Sequence, residues 1–218
     1  LVGLLVQSLD EVKMAFKEDK YEIIRNAVHP EVIRFIQLNF DIHEYAGYTH
    51  KPPNALQRYP YGDPQSPNSF AFYSPLYGDS LLVYLRDMLE QTVNKKLVET
   101  YSYMRIYYTG GTLEKHIDRP SCQFSATLCV KKDIDWSIYF QKENGEEVEV
   151  ELEPGDLAVY SGCILPHWRK PYTGNRHYQM FLHYIDAQGE FSPKHKWDER
   201  PCLWYPKTQM PTRKKLED

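Results

Sequence analysis

Between residues 98 and 186 the chain consists almost wholly of short β-prone segments set apart by turn residues, and this texture constrains the fold more than any other feature. "VETYSYMRIYY", "TLEKHID", "SCQFSATLCV", "DWSIYFQ", "EEVEVELE", "DLAVYSG" and "RHYQMFLHYI" are punctuated by Gly110-Gly111, Asp118–Pro120, Lys131–Asp135, Asn144-Gly145, Pro154-Gly155 and Thr173–Asn175. Roughly seven or eight strands at this spacing predict a sandwich or a jelly roll. The 18 Tyr, 9 Phe and 4 Trp suit such a protein, because flat rings pack well on pleated surfaces.

Upstream the period changes. "KYEIIRNAV" reads as a strand from its β-branched content. In "HPEVIRFIQLNFDIHEYAGY", Pro30 suits a helix start, and Val32, Ile33, Ile36 and Phe40 recur at a helical period. "DSLLVYLRDMLEQTVNKKL" repeats that period through Leu81, Leu82, Leu85, Met88 and Leu89. Between these helices, residues 51–78 hold six Pro among many aromatics, which predicts a long loop packed as a lid. Helices first and strands afterwards is the order of an α+β fold whose helices buttress one sheet. The 218 residues are expected to form one domain: a helical and loop part over 1–97, a β core over 98–186 and an extension over 187–218. The first part of that extension is expected to pack on the domain and its last few residues to be loose. Residues 1–20 read as a short apolar tag followed by an amphipathic, charged stretch.

Charge and cysteine usage narrow the function. A net charge of −4 gives no general attraction to phosphate backbones, so nucleic acid is not a favoured partner. Cys122, Cys129, Cys163 and Cys202 lack Cys-x-x-Cys spacing, which leaves a zinc ribbon or a redox motif unsupported. They read as reduced thiols of a cytoplasmic protein. The "LVGLLV" run is too short for a signal-peptide core, and no apolar run reaches membrane-spanning length.

The chemistry is concentrated in "EKHIDRPS". Residues two apart on a strand share a face, so His116 and Asp118 present an imidazole and a carboxylate side by side. His167, on a later strand after a Pro-Gly-Asp turn, supplies a third ligand. Two histidines and one carboxylate on one face of a metal leave open positions, which suits non-haem Fe(II). Arg176 lies nine residues beyond His167, where a hairpin would bring it to the same inner face. A guanidinium buried there needs a partner, and a dicarboxylate reaching from the metal would provide a bidentate one. His29, His43, His50, His177, His183 and His195 show no spacing that completes a site and read as structural, and Trp168 reads as packing.

In order, type and spacing, "HID", "PHW" and Arg176 resemble the Fe(II)/2-oxoglutarate-dependent dioxygenases, over roughly residues 98–186. Within that family the chain looks most like the prolyl-hydroxylase-type branch, because "RIYYTGGTLEKHID" places Tyr107 where relatives help to hold 2-oxoglutarate. A second tyrosine of those relatives falls near Cys129 here, and Tyr103, on the same face as Arg105 and Tyr107, is the candidate to replace it. The resemblance implies a double-stranded β-helix (a cupin-like jelly roll) with supporting N-terminal helices. It implies Fe(II) held by His116, Asp118 and His167, 2-oxoglutarate paired with Arg176, O2 as oxidant, and hydroxylation of a small-molecule or peptide substrate, with a prolyl or other peptidyl side chain favoured. Presence of Asp118 argues against halogenation, in which the carboxylate is absent. The competing class is a non-catalytic jelly roll that binds a sugar or small molecule, and it would need no arginine facing the metal.

Overall fold

The computed structural model describes residues 16–49 and 65–205, with the backbone of 58–59 and 62–63. The apolar tag and the last residues of the chain lie outside this range, as do the side chains of the first half of the expected lid.

The fold is a mixed helical and antiparallel β structure. Strand β1 (Tyr21–Ile24) is followed by helix α1 (Pro30–Thr49), short strands β2 (Arg58–Tyr59), β3 (Gly62–Asp63) and β4 (Ser66–Pro67), strand β5 (Ser69–Tyr73) and helix α2 (Leu76–Val93). The β core then runs through β6 (Leu97–Tyr108), β7 (Leu113–His116), β8 (Phe124–Lys131), β9 (Ile138–Gln141), β10 (Glu147–Val150), β11 (Leu157–Tyr160), β12 (His167–Arg169) and β13 (Arg176–Asp186). A seven-stranded sheet in the order β1-β11-β8-β13-β6-β5-β2 lies against a four-stranded sheet in the order β10-β9-β12-β7, as in a jelly roll. The lid segment departs from expectation: Ser69–Tyr73 is not loop but a strand, paired antiparallel with β6 from Ser69↔Tyr107 to Tyr73↔Tyr103.

Alternation along β13 shows how the large sheet serves two cores. Tyr178, Met180, Leu182 and Tyr184 are buried in one cluster with Ile33, Ile36 and Phe40 of α1 and Leu82 and Leu85 of α2. Residues of the other parity turn inward, with Phe181 and His183 reaching the cavity between the sheets. A second, smaller cluster under the small sheet joins Ile138, Phe140, Leu152, Tyr160 and Leu165. The helices therefore close one face of the large sheet and leave the other for chemistry.

The C-terminal extension folds back through a 3-10 turn, Lys196–Glu199. Asp198 and Arg200 are buried there. Cys122, Cys129, Cys163 and Cys202 are all free thiols. Among the described residues, no helix is long and apolar enough to cross a membrane.

Candidate metal centre

His116 ends β7 and His167 begins β12, and the two face each other in register across the small sheet. Their rings lie 4.4 Å apart between centroids. Asp118 follows β7 at once, and its Oδ1 is 3.5 Å from His116 Nε2 and 3.7 Å from His167 Nε2. The ligand atoms of the three residues all lie within 4.8 Å of one another.

Both imidazoles are oriented by their other nitrogen. His116 Nδ1 lies 2.7 Å from the Glu114 carbonyl and His167 Nδ1 lies 3.0 Å from the Leu165 carbonyl. A carbonyl only accepts, so each Nδ1 carries a proton, and in the neutral ring each Nε2 keeps its lone pair on the side of Asp118; the Gln65 amide donates to that of His116 at 3.0 Å. This tautomer is the one a metal-binding histidine uses. The Ser125 hydroxyl donates to Asp118 Oδ2 at 2.8 Å, leaving Oδ1 for an ion. Gly162 lets the turn close over the carboxylate, because a Cβ there would collide with Asp118 Oδ2 and the Cys122 carbonyl.

The charges are consistent with a cation site. Burial opposes ionisation of Asp118, yet the hydrogen bond it accepts from His116 when that ring is charged, with the fields of His167 and His183, holds its carboxyl well below the usual range. Burial also opposes charge on His116, but Asp118 and the Glu114 carbonyl outweigh it and raise that imidazole. Burial lowers His167, which favours the neutral form that a metal requires.

The triad opens into a cavity of about 230 Å³ that the other expected residues line unequally. Tyr107 and Tyr103 both line it, from the inward face of β6, and Arg105 stands between them with its guanidinium 5.5 Å and 5.3 Å from their ring centroids. Arg176 does not line it. It shares parity with Tyr178 and Met180, so it emerges on the helical side, half exposed, and pairs with Glu44 of α1 at 3.2 Å. The expected inward placement of Arg176 is thus corrected by strand alternation: a shift of one residue puts a side chain on the other face.

The cavity wall also includes residues that spacing alone did not pick out. Arg105 is buried and cationic within the cavity. His183, expected to be merely structural, lines the cavity and forms with Asp118 and Cys122 a second group of potential ligand atoms. That group shares Asp118 with the first, and burial pushes the Cys122 thiol far above its ordinary value, which disfavours the thiolate a metal needs. Deeper between the sheets, Arg169 extends from β12 two residues after His167, donating to the Trp136 carbonyl at 2.7 Å. Tyr107 Oη, Arg169 Nε and His177 Nδ1 are buried there without a hydrogen-bond partner among the described residues.

No family model matches the chain, and no curated protein matches it by sequence. Solved structures do. A prolyl-4-hydroxylase from Pseudomonas putida aligns with a TM-score of 0.60 at 15% identity, covering 82% of this chain and 98% of that one. A prolyl hydroxylase from Trichoplax adhaerens, solved with a hypoxia-inducible-factor peptide fragment, aligns with a TM-score of 0.65 at 12% identity, over 85% and 91% of the two chains. The α-ketoglutarate-dependent epimerase SnoN of nogalamycin biosynthesis aligns with a TM-score of 0.64 at 11% identity, over 82% and 83%. With the two-sheet core and supporting helices already described, these likenesses establish that the chain has the jelly-roll fold of the 2-oxoglutarate–Fe(II) oxygenases, prolyl hydroxylases among them.

Proposed function

We propose that the protein is an Fe(II)- and 2-oxoglutarate-dependent oxygenase that hydroxylates an organic substrate. The observation that carries this reading is the pair of Nδ1 hydrogen bonds to backbone carbonyls, which point His116 Nε2 and His167 Nε2 at one Asp118 oxygen. On this reading His116, Asp118 and His167 hold the iron. The donor set also fits a dicarboxylate cosubstrate: Arg105 supplies a buried positive charge in the same cavity, and Tyr107 Oη offers a buried hydroxyl with no partner among the described residues. Arg105 and Tyr107 therefore hold the distal carboxylate of 2-oxoglutarate in this proposal, with Tyr103 packed against the Arg105 guanidinium. Arg176 is left out of that role by its pairing with Glu44 on the opposite face. Fe(II) with 2-oxoglutarate supplies the activation of O2, coupled to oxidative decarboxylation that yields succinate, CO2 and a hydroxylated product.

The protein's own contribution is orientation and exclusion of water. Ser125 fixes the Asp118 carboxylate, the backbone carbonyls fix both imidazoles, and Tyr101, Tyr160 and Phe181 wall the cavity with rings. Its volume of about 230 Å³ is below the ~300 Å³ at which pockets enclose a whole drug-sized ligand. That supports a substrate offered as a protruding side chain, prolyl or another peptidyl group, rather than one swallowed whole.

The test is anaerobic addition of Fe(II) and 2-oxoglutarate, followed by the visible charge-transfer band of the chelate. The band is expected in the wild type and absent in His116→Ala. Arg105→Ala is expected to need ~10–100-fold more 2-oxoglutarate, the size of a lost charge-assisted hydrogen bond, and Arg176→Ala to need no more than wild type. A folded, iron-loaded protein that forms no chelate overturns the proposal and favours a binding jelly roll.

A further inference from the structure

Helix α1 is apolar on two sides. Ile33, Ile36 and Phe40 point into the core, while Phe35, Leu38, Ile42 and Tyr45 recur at helical spacing on the outer side and are 55–72% exposed. Beside them on α2, Leu76, Val83 and Tyr84 are 50–65% exposed. Side chains this large, this exposed, present on the order of 700 Å² of apolar surface together. The largest apolar patch on a typical monomer is ~300–600 Å², whereas each partner in a standard protein–protein interface buries ~800 Å².

The shape and charge of this face match a second copy of itself. A groove of about 510 Å³ runs between the two helices, lined by Val32, Phe35, Ile36, Leu76, Leu81 and Tyr84. Leu38, Ile42 and Tyr45 form a ridge beside it at i, i+4 and i+7. A two-fold-related copy presents the same apolar ridge in return, which is what an isologous interface requires. The charges obey the same symmetry. Arg34 and Asp41 are both exposed and seven residues apart, so they lie nearly in line on one edge of α1, with Asp41 Oδ1 accepting from the Tyr178 hydroxyl at 2.6 Å. A two-fold axis near Leu38 sets the two α1 helices antiparallel and brings Arg34 of each copy against Asp41 of the other.

We propose that this helical face is a homodimer interface, with the α1 ridges of the two copies packed antiparallel against each other and the Arg34 and Asp41 pairs crossing the two-fold axis. The face lies across the large sheet from the metal centre, so the proposal stands independently of the chemistry assigned to that site.

Sedimentation velocity of the full chain over a roughly hundredfold concentration range is the test. The wild type is expected to dimerise, and Ile42→Glu to weaken the dimer at least about thirtyfold, the size of a hot-spot loss. Arg34→Asp and Asp41→Arg should each weaken it, and the double exchange Arg34→Asp/Asp41→Arg should recover it. Unchanged far-ultraviolet circular dichroism and thermal melting of the monomeric variants exclude misfolding as the cause. A wild-type chain that is monomeric at every concentration overturns the proposal, as does a dimer indifferent to Ile42→Glu or a charge exchange that fails to recover association.

Discussion

Ser125 lies between two groups that face the metal centre: its Oγ is 2.8 Å from Asp118 Oδ2 and 2.9 Å from His183 Nδ1. A hydroxyl has one proton, so when Ser125 donates to the carboxylate, His183 must donate to Ser125. Burial pushes His183 down to about 4, keeping it neutral with a single ring proton for that bond. The result is a chain of donors ending on Asp118 Oδ2, which leaves Oδ1 turned toward the two imidazoles. Ser125→Ala is expected to lower Fe(II) affinity ~10–100-fold while leaving the fold intact, as loss of an outer-shell hydrogen bond does elsewhere; competition with a chelating dye measures it. Affinity equal to wild type would mean that Asp118 is positioned by its backbone alone, through its N–H bond to the Gly162 carbonyl.

At the scale of elements, the C-terminal extension is tied into the wall of the cavity. Asp198 accepts from Arg119 at 2.6 and 3.0 Å and from Tyr73 at 2.6 Å, and both partners line the cavity. Trp197, Asp198 and Glu199 all have positive φ, of 51°, 55° and 65°, a conformation that costs side-chain-bearing residues energy and persists only where surroundings enforce it. The next residue, Arg200, is buried against Asp79 in the first turn of α2 at 3.4 Å and donates to the Thr100 carbonyl of β6 at 2.9 Å. Asp79 also accepts from Ser102 Oγ at 2.6 Å and the Trp204 N–H at 2.6 Å. Asp79→Ala would leave the Arg200 guanidinium buried without its carboxylate and is expected to destabilise the protein by ~3–5 kcal/mol. Urea denaturation measures that loss; a change below about 1 kcal/mol would show that the backbone carbonyls suffice for Arg200.

For the whole molecule, the large sheet separates a dry helical core from an inner face carrying buried polar groups. Stability should therefore depend on pH through groups on that inner face. Burial, and secondarily the Arg169 charge, pushes His177 down to about 3, so the folded protein keeps this imidazole neutral. The unfolded chain titrates it near ~6.5, hence below that pH the unfolded state binds a proton that the folded state refuses. The stabilisation is fully present above ~6.5 and is lost as pH falls toward the folded value. The melting temperature is expected to drop between about pH 6.5 and 4.5, and His177→Gln to flatten that drop. An identical slope in the variant would assign the acid sensitivity to other groups.

Much of this was legible from residues alone. The short strands of the β core and the helical periods of α1 and α2 follow from local pattern, because period and turn chemistry act over a few residues, whereas His167, several strands beyond His116 and Asp118, was joined to them by the resemblance. Ser69–Tyr73 was not legible as a strand, since its pairing partner lies far along the chain, in β6. Arg176 shows the same limit at one side chain. Counting from His167 placed it near the metal, but face is set by the register of β13, and the apolar set Tyr178, Met180, Leu182 and Tyr184 carries Arg176 with it to the helical side. That alternation was already present in "RHYQMFLHYI", whereas the roles of Arg105, Ser125 and His183 required the packed sheets. The sequence by itself determined the elements and singled out His116, Asp118 and His167; only the tertiary structure decided which cation shares the cavity with them, because that depends on which strand faces meet across the jelly roll.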